Sequence, residues 1–212
     1  MKGLYDGEIA SIDHNIGRII EYLRNEGIYD NTVIVVLADH GEEFWERGGL
    51  EHARTLHDEI LRIPLILKLP PSANRRGERV SATVRQVDVY PTLLELAGVS
   101  LSSDIRGESL LHIDPAKSRW EYAETPYIAA LRGEEWKFIA KSRPKQEELY
   151  NLEEDPAERK NVAAQHPQVL ARMQEEMSSL MRMEEFASAA DQEYKKVDPK
   201  TLERLRSLGY VK

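Results

Sequence analysis

Residues 32–42, with the sequence TVIVVLADHGE, carry the clearest structural signal in this chain. The first seven form a nearly continuous β-branched run, which is typical of a strand buried on both faces of a parallel sheet. Asp39 and His40 follow directly, and ligands of open α/β sheets bind at the carboxyl ends of strands. A carboxylate beside an imidazole suits a divalent metal ion. The stretch is therefore typical of an α/β fold, and it offers a candidate metal site that depends on the residues that follow.

The segments on either side of this strand have patterns that fit the same α/β core. Apolar residues recur every three or four positions in residues 4–23, which predicts an amphipathic helix. Residues 55–61 suit a short helix, and residues 64–69 suit a second buried strand. Residues 80–84 are compatible with an edge strand. Residues 86–98 lead into a helix that has a proline in its first turn and ends at a glycine.

The spacing of apolar and polar residues changes beyond residue 115. Residues 127–132 and 135–141 alternate and meet at Gly133-Glu134, which predicts a β-hairpin. Residues 148–152 make a third short strand, and residues 167–183 carry the apolar spacing of a helix. These features predict a small antiparallel sheet with a covering helix.

Composition restricts the classes of partner. Of the 212 residues, 41% are hydrophobic and 31% charged, and the formal net charge is −8. This charge argues against non-specific nucleic-acid binding, which needs clustered basic residues. No apolar stretch approaches about 18 residues, so no membrane span is expected. The chain has no cysteine, which excludes disulfides and thiolate metal ligands and leaves the compartment unknown.

Further distinctive segments follow ADHGEEF (38–44) along the chain. They are EHARTLHDEILRIPLILKLP (51–70), VRQVDVYPTLLELAG (84–98), IRGESLL (105–111), WKFIAKSRPKQEELYNLEEDPAERKNVA (136–163) and LERLRSLGYV (202–211). In this order they resemble the sulfatase branch of the alkaline-phosphatase-like superfamily. The resemblance implies the carboxy-terminal part of that fold, with a mixed or parallel sheet and helices.

The resemblance also implies roles for three residues. Asp39 and His40 align with metal ligands. His52 aligns with the catalytic His or Lys that contacts the transferred sulfuryl or phosphoryl group or a metal. The plainer alternatives are a turn cap for Asp39 and ordinary loop histidines for His40 and His52. The implied cofactor is a divalent metal, calcium by family, with manganese or zinc as alternatives.

Other polar residues near this motif are assigned structural roles. His57 stands where the family usually has an aromatic residue, and we expect it to serve in packing. Four glutamates, at positions 42, 43, 46 and 51, are most simply a solvated loop, although beside a metal they could also tune its affinity.

Two motifs of the family pattern are absent from this sequence. The family nucleophile lies in a Cys-x-Pro/Ala-x-Arg-type motif, and this chain contains neither that motif nor its serine equivalent. It also lacks the Asp-Asp pair that completes the family's metal site. We therefore expect a carboxy-terminal fragment of a sulfatase-like hydrolase. Residues 1–114 would form part of the core, 115–183 a small α+β subdomain, and 184–212 a connector with a helix at 199–208.

Two classes of function remain open at this stage. One is part of a metal-dependent hydrolase, acting on small-molecule or glycan sulfate esters, or on phosphonate or phosphodiester substrates. The segment ELYNLEEDPAERKN (148–161) favours the sulfatase branch. The other is a non-catalytic module that forms a homo-oligomer through exposed apolar surface. In either case we expect the chain alone to be inactive.

Overall fold

The computed structural model describes residues 2–52, 54–73, 77–102, 105–114, 117, 119–133, 135–185 and 200. The chain divides into two compact units, Met1–Val162 and Ala163–Lys212. The domain boundaries predicted at residues 114 and 183 stay predictions. No helix in the described ranges is both long and apolar enough to cross a membrane.

Helix α1, Lys2–Asn25, opens the first unit and confirms the helix predicted at residues 4–23. None of its side chains is fully buried, and Ile16, Ile20 and Leu23 are half-buried. Leu4 is 75% exposed, and Ile12 is 59% exposed. The apolar face that the sequence predicts is therefore largely open to solvent.

Strand β1, Ile34–Leu37, follows the helix and pairs with β4, Leu65–Lys68. The pairing is antiparallel, with Ile34 opposite Lys68, and the two strands form a sheet of their own. The expected burial of this run on both faces of a parallel sheet is therefore wrong for the described residues. A strand with one neighbour keeps a free edge, and Ile66 in β4 is 62% exposed.

Strands β2, Glu43–Phe44, and β3, Leu50–Glu51, form a short antiparallel hairpin after β1. Glu43 is only 2% exposed, because its carboxylate lies inside the hairpin loop. Its Oε1 accepts hydrogen bonds from the backbone N–H groups of Arg47 (2.8 Å) and Gly49 (3.0 Å). The interpretation of Glu43 as part of a solvated acidic loop is therefore wrong. It is a local structural residue that closes the loop.

Helices α2, Asp58–Leu61, and α3, Val89–Leu96, confirm the two shorter helical predictions. Residues 80–84 contain no strand, so the predicted edge strand is wrong. The fully buried Asp88 fixes the chain at the start of α3. Its carboxylate accepts hydrogen bonds from the backbone N–H groups of Arg85 (2.8 Å) and Glu108 (2.9 Å).

Four strands, β5 (Glu121–Thr125), β6 (Ile128–Arg132), β7 (Trp136–Ser142) and β8 (Lys145–Asn151), form an antiparallel sheet in sequence order. Strands β6 and β7 confirm the predicted hairpin, and β8 confirms the third strand. Strand β5 was missed by the sequence analysis. Its pattern, EYAET, alternates too little to distinguish it from a loop.

The segment before α2 packs on this sheet within the first unit. Leu56 forms a buried apolar cluster with Ala130, Ile139 and Tyr150. Leu61, the last residue of α2, packs against this cluster, so α2 and the segment before it are joined to the four-stranded sheet.

The second unit contains helix α4, Pro167–Glu185, which confirms the helix predicted at 167–183. Proline at its first position fits the helix start, where the backbone N–H has no partner within the helix. Most of the predicted connector lies outside the described residues. So does almost all of the helix predicted at 199–208.

Candidate metal centre

The backbone of the turn after β1 is held in place by hydrogen bonds from two directions. The N–H of Gly41 donates to the carbonyl of Ile60 in α2 at 2.7 Å. A Cβ at position 41 would overlap the carbonyl oxygen of Glu59, so only glycine fits this approach. On the other side, Nε2 of Gln86 donates to the carbonyl groups of Ala38 (3.0 Å) and Asp39 (2.8 Å).

His40 is oriented by the turn in which it lies. Its Nδ1 is 3.0 Å from the carbonyl oxygen of Gly41, which can only accept a hydrogen bond. Nδ1 therefore carries the proton in the neutral ring, and Nε2 carries the lone pair. Nε2 lies 3.7 Å from Oδ2 of Asp39. A backbone carbonyl that fixes the tautomer in this way is a common feature of metal-binding histidines.

His52 is oriented by Glu42, which the hairpin brings against it. Nδ1 of His52 lies 2.8 Å from Oε1 of Glu42. The carboxylate accepts the Nδ1 proton, so the lone pair of a neutral His52 is on Nε2. This is the carboxylate–histidine arrangement that orients imidazoles toward metals and anions.

The rings of His40 and His52 lie together, with centroids 4.1 Å apart and planes inclined by 35°. In the described part of the chain, His40, Glu42 and His52 can each offer a ligand atom, and these atoms lie within 4.8 Å of one another. We call these three residues the histidine cluster. The structure thus brings two of the three predicted site residues together. It places Asp39 beside His40, with its side chain more exposed.

Glu42 was not singled out by the sequence as a site residue. It was interpreted together with three other glutamates as a solvated loop, with an effect on metal affinity as the alternative. Its carboxylate is half-buried and lies 2.8 Å from His52 and 3.9 Å from Nδ1 of His40. The available signal was its position two residues after His40, where a turn returns the chain toward the same point.

His57 lies in a buried network, in agreement with a packing role. Its Nε2 is 3.2 Å from the Tyr150 hydroxyl and 3.3 Å from Oε2 of Glu148, and its Nδ1 contacts Thr55. Burial opposes ionisation of Glu148, but hydrogen bonds from His57 and Lys141 outweigh it and lower the pKa of Glu148 to about 2. The network ties the segment before α2 to strand β8.

Charged residues of the hairpin and α2 are linked to the four-stranded sheet and the loop after it. We call the following six residues the junction network: Arg47, Asp58, Glu59, Arg132, Lys137 and Glu158. The buried Lys137 Nζ lies 2.8 Å from Asp58 and 2.6 Å from Glu158. Burial opposes ionisation of Asp58, yet the charges and hydrogen bonds of Lys137 and Arg132 lower its pKa.

Arg47 extends the junction network to the hairpin. Its Nη2 lies 3.1 Å from Oε1 of Glu59 and 2.7 Å from the Ala157 carbonyl oxygen. The network therefore anchors the segment between His40 and His52 to elements outside the turn, which positions the histidine cluster.

The chain is similar in sequence to known sulfatases. The model of the sulfatase family matches residues 1–99. The chain is 32% identical to an N-acetylglucosamine-6-O-sulfatase of Bacteroides thetaiotaomicron over 92% of its length. It is 26% identical to arylsulfatase K of Homo sapiens over 91% of its length. The relationship to the sulfatase family that the motifs predict is confirmed.

Solved structures agree with this assignment. The structure of BT4656 in complex with its substrate D-glucosamine-2-N,6-O-disulfate is 27% identical, with a TM-score of 0.66, over 82% of this chain and 39% of that one. A phosphonate monoester hydrolase from Silicibacter pomeroyi is 27% identical, with a TM-score of 0.70, over 81% of this chain and 39% of that one. The predicted fold class, part of an alkaline-phosphatase-like α/β fold with an added antiparallel sheet, is confirmed.

The matched relatives are much longer than this chain. The 212 residues span 36% of the Bacteroides thetaiotaomicron sulfatase and 39% of human arylsulfatase K. The similarity to sulfatases and to phosphonate monoester hydrolases relates this chain to the sulfatase superfamily.

Proposed function

We propose that this chain supplies part of the metal site of a sulfate-ester hydrolase, as the carboxy-terminal part of the catalytic fold. The observation that carries the proposal is the histidine cluster at the end of β1, in a chain related to sulfatases. A formylglycine-type nucleophile would come from outside these residues, because the sequence contains no cysteine and no serine equivalent of the motif.

The geometry supports distinct roles for the site residues. Asp39 Oδ2 and His40 Nε2, 3.7 Å apart, would hold the metal as an anionic and a neutral ligand. His52, oriented by Glu42, would present Nε2 to the oxygens of the sulfuryl group, either as a cation or through the metal. Either form stabilises the negative charge that develops on these oxygens during transfer.

The donor set bears on the identity of the metal. Imidazole ligands suit zinc, whereas calcium and manganese take mainly oxygen ligands. Because His40 offers an imidazole ligand, we propose zinc for the metal site of this chain, with manganese as the alternative. Calcium, which the family resemblance favours, would need oxygen ligands from residues beyond the histidine cluster.

The proposed reaction is tested on two polypeptides. The isolated chain should bind metal but should not turn over an aryl sulfate, because it has no nucleophile. The same chain, joined to the residues that precede this region in a full-length sulfatase, should hydrolyse the ester and lose at least about a hundredfold in rate on His52→Ala.

A matched control separates the histidine cluster from any surface histidine. His112 is also exposed and also pairs with a glutamate, Glu95, at 2.6 Å. His112→Ala should leave the rate of the joined polypeptide unchanged. Turnover by the isolated chain, or equal rates for His52→Ala and the parent, would contradict the proposed function.

A phosphorus-ester hydrolase is the alternative within the same superfamily. The phosphonate monoester hydrolase of Silicibacter pomeroyi has a TM-score of 0.70, slightly above the 0.66 of the disulfate complex. The similarity to an N-acetylglucosamine-6-O-sulfatase and to arylsulfatase K favours sulfate esters as substrates. Comparing kcat/KM for an aryl sulfate and an aryl phosphonate on the joined polypeptide decides between them.

Self-association is a second candidate property, supported by the exposed face of α1. Ile9, Ile12 and Ile19 lie on this face and are half or more exposed. Exposed apolar surface of this extent favours association between copies. Sedimentation velocity of the isolated chain should show a dimer or larger species that Ile12→Glu converts to a monomer. A monomeric parent chain at micromolar concentration would exclude this property.

A further inference from the structure

A polar cavity of about 190 Å³ lies away from the residues assigned to the metal centre. It is formed where the segment before α3 and the segment before β5 meet the edge of the four-stranded sheet. Its lining includes two hydroxyl side chains, Ser81 and Thr83, and three cationic ones, Lys117, Arg119 and Arg132. Two carboxyl groups, Asp114 and Glu121, complete the polar lining.

Arg119 is the residue that indicates a ligand. Its side chain is only 9% exposed, and its Nη2 is bound by Asp88 at 3.0 Å. Its Nη1 is buried and has no hydrogen-bond partner among the described residues. A buried guanidinium donor without an acceptor is costly, so the lining of this cavity has an unmet requirement for an acceptor atom.

Glu121 contributes a second feature of the cavity. Burial raises the pKa of its carboxyl group to about 7, despite opposing effects of Arg132 and a hydrogen bond with Thr83. Asp58 raises this pKa further and Arg85 lowers it. Near neutral pH the group is therefore often protonated, and a protonated carboxyl donates a hydrogen bond instead of repelling an anion.

We propose that this cavity is a binding site for a tetrahedral oxyanion, with Arg119 Nη1 as its principal donor and Glu121 as a proton-dependent second donor. Sulfate chemistry fits the lining, because every side chain named except Asp114 can donate a hydrogen bond when Glu121 is protonated. The ligand is either a free sulfate ion or a sulfate group carried on a sugar.

The proposal predicts a specific pH dependence. Sulfate remains a dianion between pH 6 and pH 8, so a change in affinity over this range comes from the protein. Because protonated Glu121 favours the anion, the Kd should rise about tenfold from pH 6 to pH 8 as this group loses its proton. The other charged side chains that line the cavity are those of Asp114, Lys117, Arg119 and Arg132.

Calorimetric titration of the whole chain with sodium sulfate tests the site. Ionic strength is held constant with chloride, and a chelator keeps the histidine cluster free of metal. Arg119→Met should weaken binding at least about tenfold, since it removes a charged hydrogen bond. Glu121→Gln should keep binding while abolishing the pH dependence. The control Arg18→Met, on exposed helix α1, should change neither property.

A second variant covers the case in which Arg119→Met fails to fold, because Arg119 also binds the buried Asp88. Ser81 is an exposed residue outside helices and strands, and Ser81→Tyr should fill the cavity mouth and abolish binding without unfolding the chain. Titration with glucosamine 6-sulfate, with unsulfated glucosamine as the blank, distinguishes the sources of the sulfate group.

Tighter binding of the sugar sulfate would mean that the cavity binds a sulfate group carried on a substrate. Binding of the free ion alone would mean that it binds inorganic sulfate. Lack of saturable sulfate binding, or equal binding by the parent, Arg119→Met and Ser81→Tyr, would overturn the proposal and leave a cavity filled by water. Because the assay is metal-free, its failure leaves the proposed hydrolase function untouched.

Discussion

The junction network and the histidine cluster use similar residues in opposite ways. In the junction network, Lys137 is fully buried between two carboxylates, and Glu158 is fully buried against it. In the histidine cluster, His40, Glu42 and His52 are half-buried and contact mainly one another and their own turn. Buried opposite charges fix the backbone, whereas accessible ligand atoms held close together are free to bind something else. Substitutions should therefore separate stability from binding.

Lys137→Met should produce the largest loss of stability. It leaves the carboxylate of Glu158 buried without its nearest cation, which costs about 3–5 kcal/mol of unfolding free energy. Urea denaturation measures the change, with Lys145→Met on the exposed start of β8 as the control. The control should stay within about 0.5 kcal/mol of the parent. A small effect of Lys137→Met would show that the junction network does not hold the fold.

Acid should weaken the contact between the segment before α2 and β8 through Glu148. Its folded pKa of about 2 lies below the ordinary value of 4.5, so its contribution is present above pH 4.5 and is lost as pH falls toward 2. The full contribution is on the order of 3 kcal/mol, because each pKa unit corresponds to about 1.4 kcal/mol.

The variant Glu148→Gln isolates this contribution from that of other carboxylates. The difference in unfolding free energy between parent and variant should shrink steadily below pH 4.5. A difference that is constant from pH 6 to pH 2.5 would mean that Glu148 is not held ionised by His57 and Lys141.

Gly41→Ala should affect both regions at once. The new Cβ overlaps the Glu59 carbonyl, so α2 or the turn must shift, at a cost of about 2 kcal/mol. The same shift moves His40 away from His52, so metal binding should also fall. Gly48→Ala has open space around its Cβ, but its positive φ makes it a test of backbone strain alone. Intact metal binding in Gly41→Ala would indicate that the turn does not position the histidine cluster.

His52→Ala should have the smallest effect on stability. The side chain is about one-third exposed, and among the described residues it contacts Glu42 and His40. We expect unfolding free energy to change by less than about 0.5 kcal/mol, as for other surface positions. A loss as large as that of Lys137→Met would show that His52 is structural.

Local patterns in the sequence predicted the helices and the β6–β7 hairpin, because each is specified by neighbouring residues. The apolar spacing of α1 and α4 has a helical period, and the alternation on either side of Gly133 has a strand period. The direction of pairing between β1 and β4 was not predictable in this way, because it depends on residues about thirty positions apart. The short strands β2 and β3 have too few residues to show any period.

The candidate site was predicted only in part for a related physical reason. Asp39 and His40 stand next to a recognisable strand, so their position follows from it. Glu42 and Glu43 look alike in sequence, but one carboxylate meets His52 and the other closes the hairpin loop. Only the path of residues 41–51 in three dimensions separates these roles.

Metal binding by the isolated chain tests the central claim most directly. Calorimetric titration with zinc, and separately with manganese, should show one weak site per chain, because fewer than four ligands are available. Binding should weaken in acid, since protonated imidazoles cannot coordinate. Asp39→Ala and His40→Ala should each abolish it, whereas His112→Ala should not. Equal binding by all four proteins, or none by the parent chain, would contradict the assignment of a metal centre to the end of β1.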